Sequence, residues 1–549
     1  MNPKLRIIFF FLTASALLFC RLGGAPLFDP DEGRYSDIAH TMLKTGDWLT
    51  PRMDGISHYH KPPLSNWLVA ASFKTFGKNE FAARFPSVIL SLGLLAVLIS
   101  LGKFLFNFET GYYSAWILLT SGLYVATSRL VTTDMLLTFL TFFSMNCIAR
   151  VILGSSKKVF WFYGAVLGLA LAMLTKGPVA WMITLLPAVI FSVWKKKKAG
   201  ISWYHWVIGF ILFWAISLSW YLAVVIQNKG ALDYFLHYQL AGRIIKGTAG
   251  RKHGFFYYFL VLPLGFMPWT IFIPSSLRWI SKQSWSTEIK ERLQFILFWF
   301  VVPFICFTIF KTKLATYIVP LIPPLALLSG FFWAQWNAGK VTPSIAMKRS
   351  AQFLSVTYAL IAAAGIVLFF LKLEVIHGIS MLSIFMTAAL LLSASAVNLK
   401  ILHRQEWSLV YPAQVATWCL IGWIALSNLP SIEYKNAKVF AQKLQTIKEP
   451  GDKIVMWKNY YASLPFYLDE RVATVAVDME TTFEPKKNTE GYVYDNSGDI
   501  THILETPGRV FILTNKKTYN DLLPFAKVTL YPILEKQKIV LVSNKPEHA

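Results

Sequence analysis

The sequence predicts a polytopic α-helical membrane protein, with about thirteen transmembrane helices and a small C-terminal α/β extracytoplasmic domain. Three features carry this expectation: an excess of apolar residues, their clustering into span-length runs, and a change of character near residue 429. Of 549 residues 55% are hydrophobic and 15% charged, and the mean hydropathy is +0.48, which leaves too little polar surface to cover a soluble globule of this size. The aromatic share of 16%, with 20 Trp and 43 Phe, suits a chain whose helix ends are anchored at membrane interfaces by amphipathic rings.

A net charge of +24 does not point to nucleic acid here. The Lys and Arg residues fall mainly between apolar runs, where they orient a membrane protein and meet anionic lipid headgroups. Cys20, Cys147, Cys306 and Cys419 lie in or beside apolar runs without C-x-x-C spacing, so neither a disulfide framework nor a thiolate metal site is indicated. Met1 to Arg6 and the apolar stretch after it lack a small-x-small cleavage site, which predicts an uncleaved first span.

Spans are expected at about 7–25, 82–101, 111–128, 135–153, 159–175, 178–194, 205–226, 255–277, 291–310, 314–335, 351–372, 376–399 and 408–428. Placing the N-terminus in the cytoplasm collects Lys103, Lys157, Lys158, the Lys195 to Lys198 run, Arg278, Lys282, Lys340, Lys348, Arg349, Lys400 and Arg404 on the cytoplasmic side. An odd span count then puts the C-terminus outside. The expected organisation is a membrane domain over 1–428, with external loops at 26–81 and 227–254, and a C-terminal domain over 429–549. In the latter, β-rich Lys453 to Trp457, Val472 to Val477 and Val510 to Thr514 alternate with helix-like Asn436 to Ile447 and Thr518 to Phe525, the pattern of an α/β unit.

The first external loop concentrates chemistry-bearing residues. Pro26 to Tyr35 reads as a helix entry: Asp29 suits the N-cap, Pro30 the first helical position, Glu32 the capping-box position, and Gly46 the stop. The helix so predicted over about 30–45 would lay Ile38, Met42 and Leu43 along the membrane interface. Asp31 then lies in the first turn with Arg34 one turn on, so the helix dipole and the guanidinium both favour a carboxylate. The same acids equally serve as satisfiers of helix N-terminal amides, and both readings of Asp31 stand at this point. Further on, His58-Tyr59-His60-Lys61-Pro62-Pro63-Leu64 places a lysine before two prolines that hold the chain extended, either a phosphate anchor or an ordinary basic surface loop.

Asp31-Glu32-x-Arg34-Tyr35, His60-Lys61-Pro62-Pro63-Leu64, Arg129-x-x-x-x-Asp134 and Thr175-Lys176-Gly177-Pro178, in this order, resemble the aminoarabinose (4-amino-4-deoxy-L-arabinose) lipid A transferases. These are membrane glycosyltransferases of the GT-C fold, related to the protein O-mannosyltransferases. The resemblance runs through the spans and into the tail, where Tyr460 to Leu468 is similar to the start of the family's external α/β domain. It implies transfer of that sugar, or a related one, from a polyprenyl (undecaprenyl) phosphate carrier to lipid A or a related envelope acceptor, at the periplasmic face of the bacterial inner membrane. By the same resemblance Asp31 and Asp134 are the catalytic acidic positions, while Arg34 and Lys61 contact the carrier phosphate. Tyr35, Lys176 and Arg243 are further substrate-binding candidates.

His60 departs from the family pattern, which has a glutamate there linked to a divalent metal. An imidazole also binds zinc, so a zinc site is expected around His60, with His237 or His253 from the 227–254 loop as further ligands. Each of these histidines also reads as a polar cap beside aromatic residues. Asp134, after Thr132 and Thr133, also suits a helix N-cap, and Lys176 before Gly-Pro also reads as a snorkelling lysine at a helix break. Two other functions fit less of the sequence. Transfer to protein Ser/Thr or to a core sugar would use the same fold. A flippase or transporter would call for ionisable residues at mid-span and symmetry between halves, whereas charges here collect at span ends and in loops.

Overall fold

A computed structural model of the chain describes residues 2–235, 252–371, 379–431, 436–477 and 491–547. The chain divides into two compact units. The first holds Met1–Leu22, Phe85–Val225 and Phe235–Ile432; the second holds Gly23–Arg84, Ile226–Tyr234 and Glu433–Ala549. The 23–84 segment, expected as a loop of the membrane domain, therefore folds together with the C-terminal residues.

The first unit is helical. Among the described residues eight helices are long and apolar enough to cross a membrane, and ten if each of two bent pairs is one span. The bends fall between Trp203–Ser217 and Ser219–Gln227, at 47°, and between Tyr257–Gly265 and Trp269–Lys282, at 103°, where Pro268 interrupts the second. Three further expected spans are helical but short: Pro3–Phe19, the broken Phe108–Leu119 and Gly122–Ser128, and Val179–Trp194. The expected count of thirteen thus exceeds the number of helices long enough to cross among the described residues: Pro3–Phe19 stops at 17 residues, and other expected spans run through breaks such as Thr120–Ser121, Thr184 and Phe266–Pro268.

Without water to drive burial, small residues and hydrogen bonds join helices in lipid. Helix Glu80–Leu105 turns at Asn107, which caps Phe108–Leu119 by accepting from the Thr110 amide at 2.8 Å. The two helices touch through Gly102 and Gly111, where a Cβ on Gly102 would stand 2.4 Å from the Gly111 Cα. Helices Ile345–Phe370, Met381–Arg404 and Val410–Asn428 share a polar seam. There the Tyr358 hydroxyl donates to Gln414 Oε1 at 2.5 Å, Gln414 Nε2 donates to Asn398 Oδ1 at 2.8 Å, and Trp418 Nε1 donates to the Tyr358 hydroxyl at 2.7 Å.

In the second unit, a hairpin of β1 (Arg52–Met53) and β2 (Ile56–Ser57) sits on helix Asp31–Thr45, which also packs on helix Leu64–Phe76. Its C-terminal part is a six-stranded sheet of β3 (Lys453–Trp457), β4 (Ala473–Val475), β5 (Val493–Tyr494), β6 (Val510–Asn515), β7 (Tyr531–Lys536) and β8 (Ile539–Ser543), in the order β5-β4-β3-β6-β8-β7. Strands β3 to β6 run parallel and β8 lies antiparallel to both β6 and β7. The period of two in β3 sends Ile454 and Met456 to one face with Phe440, Leu444 and Leu541, and Val455 and Trp457 to the other with Ile500, Ile503 and Val542. Both faces are covered, as a sheet with parallel strands requires.

Candidate active site

Helix Asp31–Thr45 begins one residue later than expected, with Pro30 at its N-cap, and ends at Gly46 in the left-handed region. Asp29 is not its cap. Its carboxylate accepts from the Ser463 amide at 2.7 Å and from the Ser463 hydroxyl at 2.5 Å. Glu32 does reach back, accepting from the Phe28 amide at 2.9 Å, but its main partner is Arg84, which donates from Nε at 2.9 Å and from Nη2 at 2.6 Å. Arg84 also donates to the carbonyls of Ala25 at 2.7 Å and Pro26 at 2.6 Å, and both members of this forked pair are almost fully buried. Ile38 and Met42 do not lie along a membrane surface. They are buried against Met53 and Ile56, with Trp67 and Tyr460 packed around them, so the apolar stripe of the helix faces protein.

The helix therefore has two kinds of position. Glu32, Gly33, Ser36 and Asp37 are buried in the fold, whereas Asp31, Arg34 and Tyr35 are half-buried. A 3.6-residue period places Asp31, Arg34 and Tyr35 within one turn of each other on one side. Lys61, also half-buried, lies after β2. The second of its two prolines does not continue an extended chain: Pro63 has helical angles and is the N-cap of helix Leu64–Phe76. The lysine thus precedes a helix start, where unpaired amides and the dipole carry positive potential.

Asp134 and Lys176, 42 residues apart in sequence, form an ion pair in the first unit. Thr132, not Asp134, caps helix Thr133–Ile152, accepting from the Asp134 amide at 3.3 Å. Helix Lys158–Lys176 ends at Gly177, φ 73°, and the Lys176 ammonium also stands 4.2 Å from the centre of the Tyr317 ring. With side-chain exposures of 10% and 8%, the lysine does not snorkel to water. Arg129 of the same motif donates to the Leu18 carbonyl at 2.7 Å and ties two helices together.

Of the histidines expected at a metal, His60 is buried with its ring 4.8 Å from that of His58. The His253 ring stacks on Tyr257 at 4.2 Å, the aromatic contact of its alternative reading. His237 and Arg243 lie outside the described residues. Among the described residues no three His, Cys, Asp or Glu side chains gather as a metal-ligand group.

In the second unit an acidic pair, Asp37 and Asp54, has no signal in the sequence. The Asp37 carboxylate accepts from the Asp54 amide at 2.7 Å, and the Asp54 carboxylate accepts from the Val472 amide at 2.9 Å. Burial lifts the Asp37 carboxyl to about 7, against the pull of the Asp54 amide and Lys78, and burial together with the Asp37 charge drives Asp54 well above the carboxylate range. Both groups bind protons more tightly folded than unfolded. For Asp37 that stabilisation is complete below the unfolded value of 3.8 and is lost as pH rises through about 7, on the order of 4 kcal/mol at most, and Asp54 acts in the same direction. His40, held below 6.5 chiefly by burial despite its 2.7 Å contact with Asp469, opposes this trend as pH falls below 6.5. The midpoint of thermal denaturation is expected to fall between pH 6.5 and 8, and Asp37→Asn to flatten that fall. A midpoint that climbs with pH over this range would refute the assignment.

The family model of the dolichyl-phosphate-mannose-protein mannosyltransferases matches residues 7–229. An undecaprenyl phosphate-alpha-4-amino-4-deoxy-L-arabinose arabinosyl transferase of Pseudomonas aeruginosa is 26% identical over 409 residues, which is 74% of this chain and 72% of the relative. A protein of that description from Pseudomonas fluorescens is 33% identical over 316 residues, 55% of each. Among solved structures, ArnT from Cupriavidus metallidurans bound to undecaprenyl phosphate superimposes with a TM-score of 0.79 at 21% identity over 98% of both chains. The Archaeoglobus fulgidus oligosaccharyltransferase gives 0.52 at 12% identity, over 95% of this chain and 71% of its own. The chain has the GT-C fold of a multi-span membrane protein, and its relatives by sequence are membrane glycosyltransferases. Within that class the chain is similar in sequence to the undecaprenyl phosphate-aminoarabinose arabinosyl transferases.

Proposed function

We propose that this protein transfers 4-amino-4-deoxy-L-arabinose, or a related sugar, from an undecaprenyl phosphate carrier to lipid A or a related envelope acceptor. The reaction is placed at the periplasmic face of the bacterial inner membrane, with the N-terminus cytoplasmic and the C-terminal domain periplasmic. The observation that carries the reading is the arrangement at the start of the Asp31–Thr45 helix, where Asp29, Glu32 and Gly33 are buried against Ser463 and Arg84 and where Asp31 and Arg34 lie half-buried one turn apart. The relatives named for this reaction, and the ArnT structure bound to undecaprenyl phosphate, support it.

A polyprenyl-phosphate sugar presents its anomeric carbon at headgroup depth, where a loop helix meets it. The departing phosphate gains negative charge in the transition state, and fixed cations lower that barrier. Arg34 and Lys61 take this role, with Tyr35 as a polar contact; Lys176 and Arg243 are assigned to substrate by the family resemblance. Asp31 and Asp134 are the acidic positions. A lipid A phosphate is already ionised and needs no base, so Asp31 orients the donor; a hydroxyl acceptor makes Asp31 the general base. Direct displacement inverts the anomeric carbon.

Purified protein incubated with labelled undecaprenyl-phosphate aminoarabinose and with lipid A, a core oligosaccharide or a Ser/Thr-rich protein tests the assignment. Label in lipid A is expected. Label in protein alone would transfer the reading to an O-mannosyltransferase-like activity, and carrier translocation without transfer would replace it by a flippase. Lys61→Ala is expected to raise the KM for the donor about tenfold, the loss of one charge-assisted phosphate contact; an unchanged KM removes Lys61 from the carrier site.

A further inference from the structure

Three contacts join the C-terminal segment to the start of the Asp31–Thr45 helix, all inside the second unit. Asp29, 2% exposed, directs both carboxylate oxygens at Ser463, which is 0% exposed. Gly33 lies so close to the same segment that a Cβ would stand 2.4 Å from the Ser463 nitrogen and 2.8 Å from the Ala462 carbonyl carbon. Tyr460 packs on the Ile38, Met42, Met53 and Ile56 cluster of that helix and hairpin. Asp29 and Gly33 flank Asp31 two residues away on either side, so the position of Asp31 is set from both directions by Ser463 and its neighbour.

We infer that Ser463 is a positioning residue for sugar transfer: through Asp29 it holds the first turn that carries Asp31 and Arg34, and in this way the C-terminal domain acts on the reaction without touching substrate. A buried carboxylate needs its donors, because a charge withdrawn from water and left without them is strongly disfavoured. When the hydroxyl is removed, Asp29 loses a charge-assisted donor and its backbone moves toward other partners. The helix start moves with it. A displacement on the order of 1 Å at a reacting group is enough to slow turnover by up to about a hundredfold. This inference rests on the role given to Asp31 under Proposed function.

The test is a double-mutant cycle on the full-length protein in lipid, with Ser463→Ala, Asp29→Asn and the two combined. Each is assayed for kcat and donor KM per folded molecule, the folded fraction being set by size exclusion and near-ultraviolet circular dichroism. Ser463→Ala is expected to lower kcat about tenfold with donor KM changed less than about threefold, and the combined variant to lose no more than the worse single one. A merely structural serine would reduce the folded fraction and leave kcat per folded molecule at the wild-type value, which overturns the inference. Additive losses in the combined variant overturn it too. Should Ser463→Ala not fold, Gly33→Ala perturbs the same contact from the helix side: a lowered kcat supports the inference and a wild-type kcat refutes it. Asp31→Asn run in parallel separates the two levels. An inactive Asp31→Asn beside a wild-type Ser463→Ala defeats the positioning role alone, whereas an active Asp31→Asn defeats the reading of the site beneath it.

Discussion

Asp31→Asn is expected to cut sugar transfer at least about a hundredfold while leaving the protein folded and the carrier bound. The substitution keeps the shape and removes the charge, on a side chain that is half-buried. Its neighbours would behave otherwise. Glu32→Gln strips the charge from a buried pair with Arg84, and such breakage costs about 3–5 kcal/mol, so that variant should lose stability before activity. The contrast between two adjacent acids is the measurement: turnover and thermal midpoint for both variants, with carrier binding followed by equilibrium dialysis. Wild-type turnover in Asp31→Asn would end the proposed chemistry, whatever its effect on stability.

The second large effect is expected at the Asp134–Lys176 pair. Lys176→Met leaves a carboxylate in a site with 8% exposure, and removal of one partner from a buried pair costs about 3–5 kcal/mol. Replacing both, as Asp134→Asn with Lys176→Met, removes the uncompensated charge and should restore most of that stability. Thermal midpoints of the three variants in detergent test this, and a double variant no more stable than Lys176→Met would show that the pair is not the energetic unit. Activity then separates structure from chemistry. A double variant that folds and does not transfer sugar supports the site roles proposed for Asp134 and Lys176; one that folds and turns over normally makes the pair purely architectural.

Much of the fold was legible because its causes are local. A run of about 20 apolar residues is a membrane helix by its own composition, and Gly, Pro and Asn mark its ends. Strands β3 and β6 are read from their β-branched runs, and Ile539–Ser543 (β8) carries the same signal although it is not among the expected strands; β7 carries none, since Tyr531–Lys536 mixes Pro, Glu and Lys and its pairing with β8 depends on register. The candidate site was legible in part. Asp31, Arg34 and Lys61 stand in compact motifs with chemical meaning of their own. Arg84 with Glu32, Ser463 with Asp29, and Lys176 with Asp134 are partners 52, 434 and 42 residues apart, and nothing near either member announces the other.

What the sequence by itself determined is the solvent of each segment and the inventory of reactive groups, since hydropathy, charge placement and helix signals act over a few turns of chain. What the tertiary structure decided is the employment of each acid in Asp29-Pro30-Asp31-Glu32. The backbone of Ser463 binds Asp29 and the guanidinium of Arg84 binds Glu32, both buried, whereas Asp31 between them is half-buried. The reason is that a carboxylate's role follows from the donors within about 3 Å of it, and these are brought there by folding, not by adjacency along the chain.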